Sequence, residues 1–454
     1  MSSGGTDSIK LVVHELEAGD AWLVEGLGEL DITRFSWLDE EMLIMSTEHP
    51  ARGGVGLFAS ERQGRSRPYP IVQQASHTIL GSPIDDRRNL LARLNSWGVT
   101  DDRGEVVRLD TSLTTADIVD PIAMSTTDRE RVNEQNQRAI REQVSFLDMG
   151  AGQEYFSDGN GNLAYGIVTD NGQESLHAWD GKAWTKSPVD LETMTVHGAG
   201  VAPGQVVVSV HSYDGTVSPV HLMDAATGKL GAEILRDKAY DFDGWVVRDA
   251  GTRSMVGVRF NRTLPTYVWY DEGYQKLHAM FKGQFPKQVV DIVSVDDAIN
   301  VFVLAVHDDR SPVSYHIANL EKRSVGPLKT SRPWLDSKRL SRVSMIKFKT
   351  AEGSALDAFI TLPKGASREN PVPLVVLPHA GRNLWGGWSR DVLGYHDTAQ
   401  FLASRGYAVL QPNYRGTPGT RWMFPEADQW DWRKMSDDVS RATRTALKTK
   451  LFDP

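Results

Sequence analysis

The chain has 454 residues, 40% hydrophobic and 24% charged, with a formal net charge of −9. That length predicts roughly two to four domains, that composition a folded globular protein, and that charge gives no electrostatic ground for nucleic acid or a membrane as partner. Cysteine is absent, which excludes disulfides, thiolate zinc sites and a cysteine nucleophile. The histidines show no metal-ligand spacing, and no cofactor is expected.

The opening Met1–Asp7 stretch is polar, and no apolar segment of signal-peptide type follows it. No run of about 18 apolar residues occurs, so no transmembrane helix is expected. The expected location is cytoplasmic as the chain is written, or periplasmic or secreted if the true N-terminus is missing.

From Ser8 to about Thr330 the pattern is short alternating runs, such as 206–210, 256–260 and 301–306. Asp158-Gly159, Asn160-Gly161, Asn171-Gly172, Asp180-Gly181 and Asp214-Gly215 punctuate them. Asn-Gly and Asp-Gly supply the positive φ of tight hairpins, so the segment reads as antiparallel β. A strand followed by a small turn recurs at His14–Gly19, Leu222–Lys229 and Ile317–Lys322. A period of roughly 40–50 residues over this length predicts a β-propeller of about seven blades, the first incomplete. A sandwich would need two domains to absorb so many strands. The charged stretch from Asp128 to Gln143 is a short helix or an excursion between blades.

The pattern changes near Arg332-Pro333-Trp334-Leu335. An antiparallel pair is predicted over 345–350 and 356–362, and a buried parallel-type strand at Leu374–Leu377. Asp397 with Gln400 forms a capping box for a helix that Gly406 stops. Ala408–Leu410 is the next buried strand. Met435, Val439, Ala442, Ala446 and Leu447 then share one face of a second helix. This is a doubly wound pattern. The expected domains are a propeller over 1–335 and the N-terminal half of an α/β-hydrolase domain over 336–454.

The motifs Leu377-Pro378-His379-Ala380-Gly381, Phe401–Val409 and Asn413-Tyr414-Arg415-Gly416, followed by Asp437-Asp438-Val439, come in an ordered set. The set resembles the prolyl oligopeptidase family of serine peptidases. Pro265–Trp269 and His307–Pro312 resemble its bacterial acylaminoacyl- and dipeptidyl-peptidase-like branch. The resemblance implies acyl transfer by Ser, Asp and His on short peptide substrates, with the serine in a Gly-x-Ser-x-Gly elbow. No such elbow occurs in the sequence. The family places it just beyond a phrase like Leu451–Pro454, so the chain is expected to stop before the catalytic Ser, Asp and His and to be inactive. The alternative is a non-catalytic propeller that binds its partner, with a vestigial hydrolase segment.

No catalytic residue is therefore assigned. By the resemblance, His379, Ala380 and Gly381 occupy the loop that gives the family one oxyanion-hole donor. Ala380 stands where the family commonly has Gly, and Arg382 where it has Pro. Gly387-Trp388-Ser389 lacks the elbow's second Gly, and His379 and His396 precede any nucleophile, the wrong order for the family's base. Asp158–Asn162 reads as a hairpin turn, since Leu163 and Thr169 stand where a calcium loop needs Gly and Glu. Glu40-Glu41 reads as an acidic turn. Trp179, Trp184, Trp245 and Trp269 read as blade core.

Overall fold

Asn171 and Gly172, at φ 49° and 81°, turn the chain between strands Leu163–Asp170 and Gln173–Trp179 in two residues. Positive φ at both positions matches the twist of the strands it joins. The computed structural model describes residues 10–453 apart from 16–18, 25–26, 28, 50–52, 63–66, 97–103, 113–117, 120–123, 146–152, 214 and 381–389. Such hairpins build six successive antiparallel sheets, over 31–73, 75–145, 153–186, 194–235, 245–269 and 289–330. The fifth has three strands and the others four, each in meander order. This is a β-propeller of about six blades. The repeated phrases are hairpin turns. In one, Asp224 N bonds Lys229 O at 3.1 Å while Asp224 Oδ1 accepts from Thr227 N at 2.8 Å.

Among the described residues, about six blades replace the expected seven. Helix Glu272–Gln284, in a stretch read as strand, together with helix Thr126–Ala139 and the connectors, takes up the difference. A ribbon of two three-residue strands, Val12–His14 and Ala21–Leu23, stands where the incomplete first blade was expected.

The chain divides into two compact units. Met1–Glu192, Ala202–Gln205 and Asp224–Lys229 form one; Thr193–Val201, Val206–Met223 and Leu230–Pro454 form the other. In the first, helix α1 (Thr126–Ala139) confirms the helical option for the charged stretch. Ser125 and Asp128 close its capping box. Asn136 satisfies both backbone groups of Gln73, accepting from its N–H at 2.9 Å and donating to its carbonyl at 2.7 Å. The helix thereby covers the outer strand Tyr69–Gln73, an edge that would otherwise present unpaired groups.

In the second unit, helix α2 (Glu272–Gln284) was not expected. Asp271 caps it, and Tyr274, His278 and Phe281 face inward at helical spacing. Phe281 joins Phe302, Leu304 and Val306 in the core of the sixth sheet. Trp245 departs from the blade-core reading: it is 53% exposed, with the Arg259 guanidinium 4.5 Å over its ring.

The chain then forms a mixed sheet of β1 (Val343–Lys349), β2 (Ala355–Thr361), β3 (Val372–Val376), β4 (Ala408–Pro412) and β5 (Phe452–Asp453), in the order β1-β2-β4-β3-β5. β1, β2 and β4 pair antiparallel; β4, β3 and β5 pair parallel. Helix α3 (Asp397–Ala403) links β3 to β4. Helices α4 (Glu426–Gln429) and α5 (Trp432–Leu447) lead to β5. Ala442 and Ala446 of α5 pack on Phe348, Ala358 and Leu410.

Two local expectations are corrected. β3 is half-buried rather than buried, because only Val372 and Pro373 gain a neighbour on the far side, in Phe452 and Asp453. The α3 N-cap is His396, whose Nδ1 accepts from Ala399 N at 3.3 Å. Asp397 instead pairs with Arg332, and the Gln400 amide bonds Ser341 and Asp309. No helix among the described residues is long and apolar enough to cross a membrane.

Candidate active-site loop

Parallel strands leave their carboxyl ends side by side, and loops there are where such sheets place ligands. β3 and β4 align Val376 with Leu410, and Leu377 N closes the ladder on Leu410 O at 2.8 Å. Pro378-His379-Ala380 leaves from one strand and Asn413–Thr417 from the other.

His379 ties the two together. Its Nδ1 lies 2.8 Å from Ala380 O, which can only accept, so Nδ1 carries the proton and donates. Nε2 then accepts from the Thr417 hydroxyl at 2.9 Å. The imidazole stacks on Tyr414 with ring centroids 4.5 Å apart at 14°, and Tyr414 OH donates to His379 O at 2.9 Å. Thr417 and His379 resemble a nucleophile–base pair in contact, but Thr417 is fully buried. A hydroxyl that substrate cannot reach is a strut.

Asp391 lies in the same cluster. Gln411 Nε2 donates to its Oδ1 at 2.8 Å, while buried Oδ2 has no hydrogen-bond partner among the described residues. The Asn413 side chain brackets its backbone, accepting from Asp391 N at 3.1 Å and donating to Asp391 O at 2.9 Å. Burial pushes the Asp391 carboxyl up, against the pull of His379, His396 and the Gln411 amide. Burial pushes His379 down, and the Arg390 charge acts with it; the Ala380 carbonyl and Asp391 oppose them. Two half-buried groups are thus each driven toward the neutral form.

Arg415 holds the floor of the loop. Its side chain is 1% exposed and grips the equally buried Asp438 in a fork, Nε–Oδ2 at 2.7 Å and Nη2–Oδ1 at 2.8 Å. Glu352 adds a second fork at 3.3 and 3.0 Å, which holds its carboxyl down at about 2. Gly416, at φ +81°, allows the close turn; a Cβ there would meet Gln429 O at 2.6 Å.

Of the sequence-predicted residues, the structure brings His379 and Ala380 into this cluster. Gly381 lies outside the described residues, as do Arg382 and the Gly387-Trp388-Ser389 phrase. His396 is the helix cap. Asp158 is a hairpin turn, its Oδ1 accepting from Asn160 N and Asn162 N. Glu40-Glu41 sits in the turn that Asp39 caps. No group of three or more potential metal ligands occurs among the described residues. Sequence reasoning missed Asp391, Arg390 and Thr417. Each lies on irregular backbone with no periodic signal, and Asp391 closely follows the Gly387-Trp388-Ser389 phrase dismissed as a false elbow.

Comparison with known proteins finds peptidases among those to which this chain is similar. No family model matches the chain. Dipeptidyl aminopeptidase BIII of Pseudoxanthomonas mexicana is 27% identical over 310 residues, covering 65% of this chain and 43% of that protein. The chain thus matches less than half the length of that curated relative. A solved prolyl endopeptidase chain superposes with a TM-score of 0.62 at 12% identity, covering 96% of this chain and 62% of that one. The acylaminoacyl peptidase of Pyrococcus horikoshii gives 0.58 at 12% identity, covering 98% and 67%. At such identities the structural likeness speaks for the fold.

Proposed function

We propose that this chain, a relative of the prolyl oligopeptidase family, supplies the propeller and the oxyanion-side half of a serine peptidase that cleaves short peptides. The domains are a propeller over 1–335 and the first half of an α/β-hydrolase over 336–454. The observation that carries this reading is the loop at the carboxyl ends of β3 and β4, where His379 is fixed by Ala380, Thr417 and Tyr414. Both imidazole nitrogens are engaged inside the protein. The ring therefore braces the loop, and the backbone at Ala380 and Gly381 is left as the source of the oxyanion donor. The sequence holds no Gly-x-Ser-x-Gly, so the reading places the nucleophile, Asp and His outside these 454 residues.

The test is a fluorophosphonate probe followed by intact mass. No adduct is expected on the 454-residue chain, and a stoichiometric adduct on any serine overturns the assignment. The same chain continued with the part of dipeptidyl aminopeptidase BIII that follows the matched residues is expected to label. A completed, folded chain that stays unlabelled supports a non-catalytic binding propeller instead.

A further inference from the structure

We infer that Arg390 is the positioning residue through which the turn 261–263 sets the loop at His379 and Ala380. The inference rests on reading that loop as the oxyanion side of a peptidase site. Arg390 belongs to no helix or strand, yet its side chain is only 5% exposed. Its Nη1 donates to Asn261 O at 2.9 Å and faces Asp243 Oδ2 at 3.6 Å. The guanidinium carbon lies 4.6 Å over the Tyr240 ring. Three residues on, Leu393 N donates to Thr263 O at 2.9 Å. One turn therefore grips segment 390–393 at both ends.

The opposite side is held by the sheet. Asn413 brackets Asp391, and Asn413 N itself donates to Asp357 O at 3.0 Å. Asp357 Oδ2 accepts from Tyr240 OH at 2.9 Å, so the residue beneath the guanidinium also anchors the strand behind Asn413. The two grips converge on Asp391, and Asn413, which brackets it, leads directly into Tyr414, which bonds and stacks on His379. Gly419 makes room: at φ +86°, a Cβ there would meet Arg390 Nη1 at 2.2 Å. A planar guanidinium serves here because it can lie flat over Tyr240 while its Nη1 faces both Asn261 O and Asp243. Amide donors help an oxyanion only when held to a fraction of an ångström before the reaction.

The groups facing His379 are Asp391, Arg390 and Tyr414, with His396 acting on Asp391. Removing the Arg390 charge should therefore free the imidazole to protonate more easily. The experiment follows the His379 ring by NMR in histidine-labelled protein, assigned with His379→Gln, together with hydrogen exchange at Ala380 and thermal melting. Arg390→Met is expected to raise the His379 midpoint by about half a pH unit or more and to speed Ala380 exchange. Arg390→Lys should keep the midpoint, retaining the charge, and still speed exchange, having lost the planar group that lies over Tyr240. A fall in melting temperature with both readouts unmoved overturns the inference and leaves Arg390 a packing residue. Should Arg390→Met fail to fold, Asp243→Asn gives the opposite sign: an uncompensated guanidinium is expected to lower the midpoint, and no movement overturns the inference. None of these readouts needs a nucleophile, so they stand or fall apart from the peptidase assignment.

Discussion

The sixth propeller sheet and the mixed sheet solve the same problem, a covered β-surface, with different chemistry. Strands Val289–Val295, Val301–His307, Ser314–Asn319 and Ser324–Thr330 pair in sequence order, and Phe281 of the preceding helix fills the core. In the mixed sheet β2 pairs with β4, so Ile360 meets Leu410 across an intervening strand and helix. There the largest fully buried side chain is an arginine, Arg415. Local hairpins leave few polar groups to satisfy, because each turn closes its own bonds. Crossovers bring loops together at the strand ends, where carbonyls and amides must be paired by side chains from far away in sequence. The propeller is held by repeats, and the hydrolase-like sheet by particular residues.

The sharpest way to break that contrast is at two neighbouring aspartates on α5. Asp438 is fully buried in the Arg415 fork, whereas Asp437 meets Arg441 and Arg444 at the surface. Removing one partner of a buried pair strands the other charge, so Asp438→Ala is expected to cost about 3–5 kcal/mol in urea unfolding. Asp437→Ala should leave the urea midpoint close to that of the native chain, because a surface ion pair contributes little. Equal losses would mean that the mixed sheet is held no differently from the blades.

That pair also marks how far the sequence could be read. The hairpin dipeptides, the antiparallel pair before β3, and the helix–strand alternation after it were legible because each is written within a few residues. The Asn413–Gly416 and Asp437–Val439 phrases drew attention to the right places, but nothing in a spacing of 23 residues says that Arg415 and Asp438 form one fork. The Asp397–Gln400 box was a plausible local pattern that lost to tertiary partners, Arg332 and Ser341. Blade count failed because α2 is written in a helical period inside a region read for alternation. Tyr240, Asp243 and Arg390 carried no signal at all, since their roles exist only once turn 261–263 meets the loop before α3.

A pH measurement sharpens the comparison from the propeller side. His197, on the strand Met194–Ala199, bonds Ser209 Oγ at 2.6 Å and meets Phe242 edge-on at 4.7 Å. Burial, aided by His211, pushes it down from 6.5 to about 3. The folded chain thus stays neutral where the unfolded chain takes a proton. The contribution is full above about pH 6.5 and is lost progressively as pH falls toward about 3. The slope from this residue is at most about 1.4 kcal/mol per pH unit. Urea midpoints at pH 7 and pH 5 should fall further for the native chain than for His197→Gln. Parallel falls would show that acid sensitivity lies elsewhere, with the carboxylates of the mixed sheet the next place to look.

The smallest expected effect tests whether a blade edge depends on local helix chemistry. Ser125 Oγ accepts from Asp128 N at 3.1 Å, and Asp128 Oδ2 accepts from Ser125 N at 3.0 Å, so each end of the box satisfies an amide the helix cannot. Ser125→Ala removes one of those acceptors and is expected to cost about 1 kcal/mol. The effect should stay at the helix start, because Asn136, which holds Gln73, lies about three turns further on. Hydrogen exchange then separates two outcomes. Faster exchange confined to the first turn of α1, with Gln73 N still protected, fits a helix anchored on the sheet by its far end. Loss of protection at Gln73 as well would mean that α1 and the edge strand open together, so that even the repeat-built half depends on a single side-chain cap.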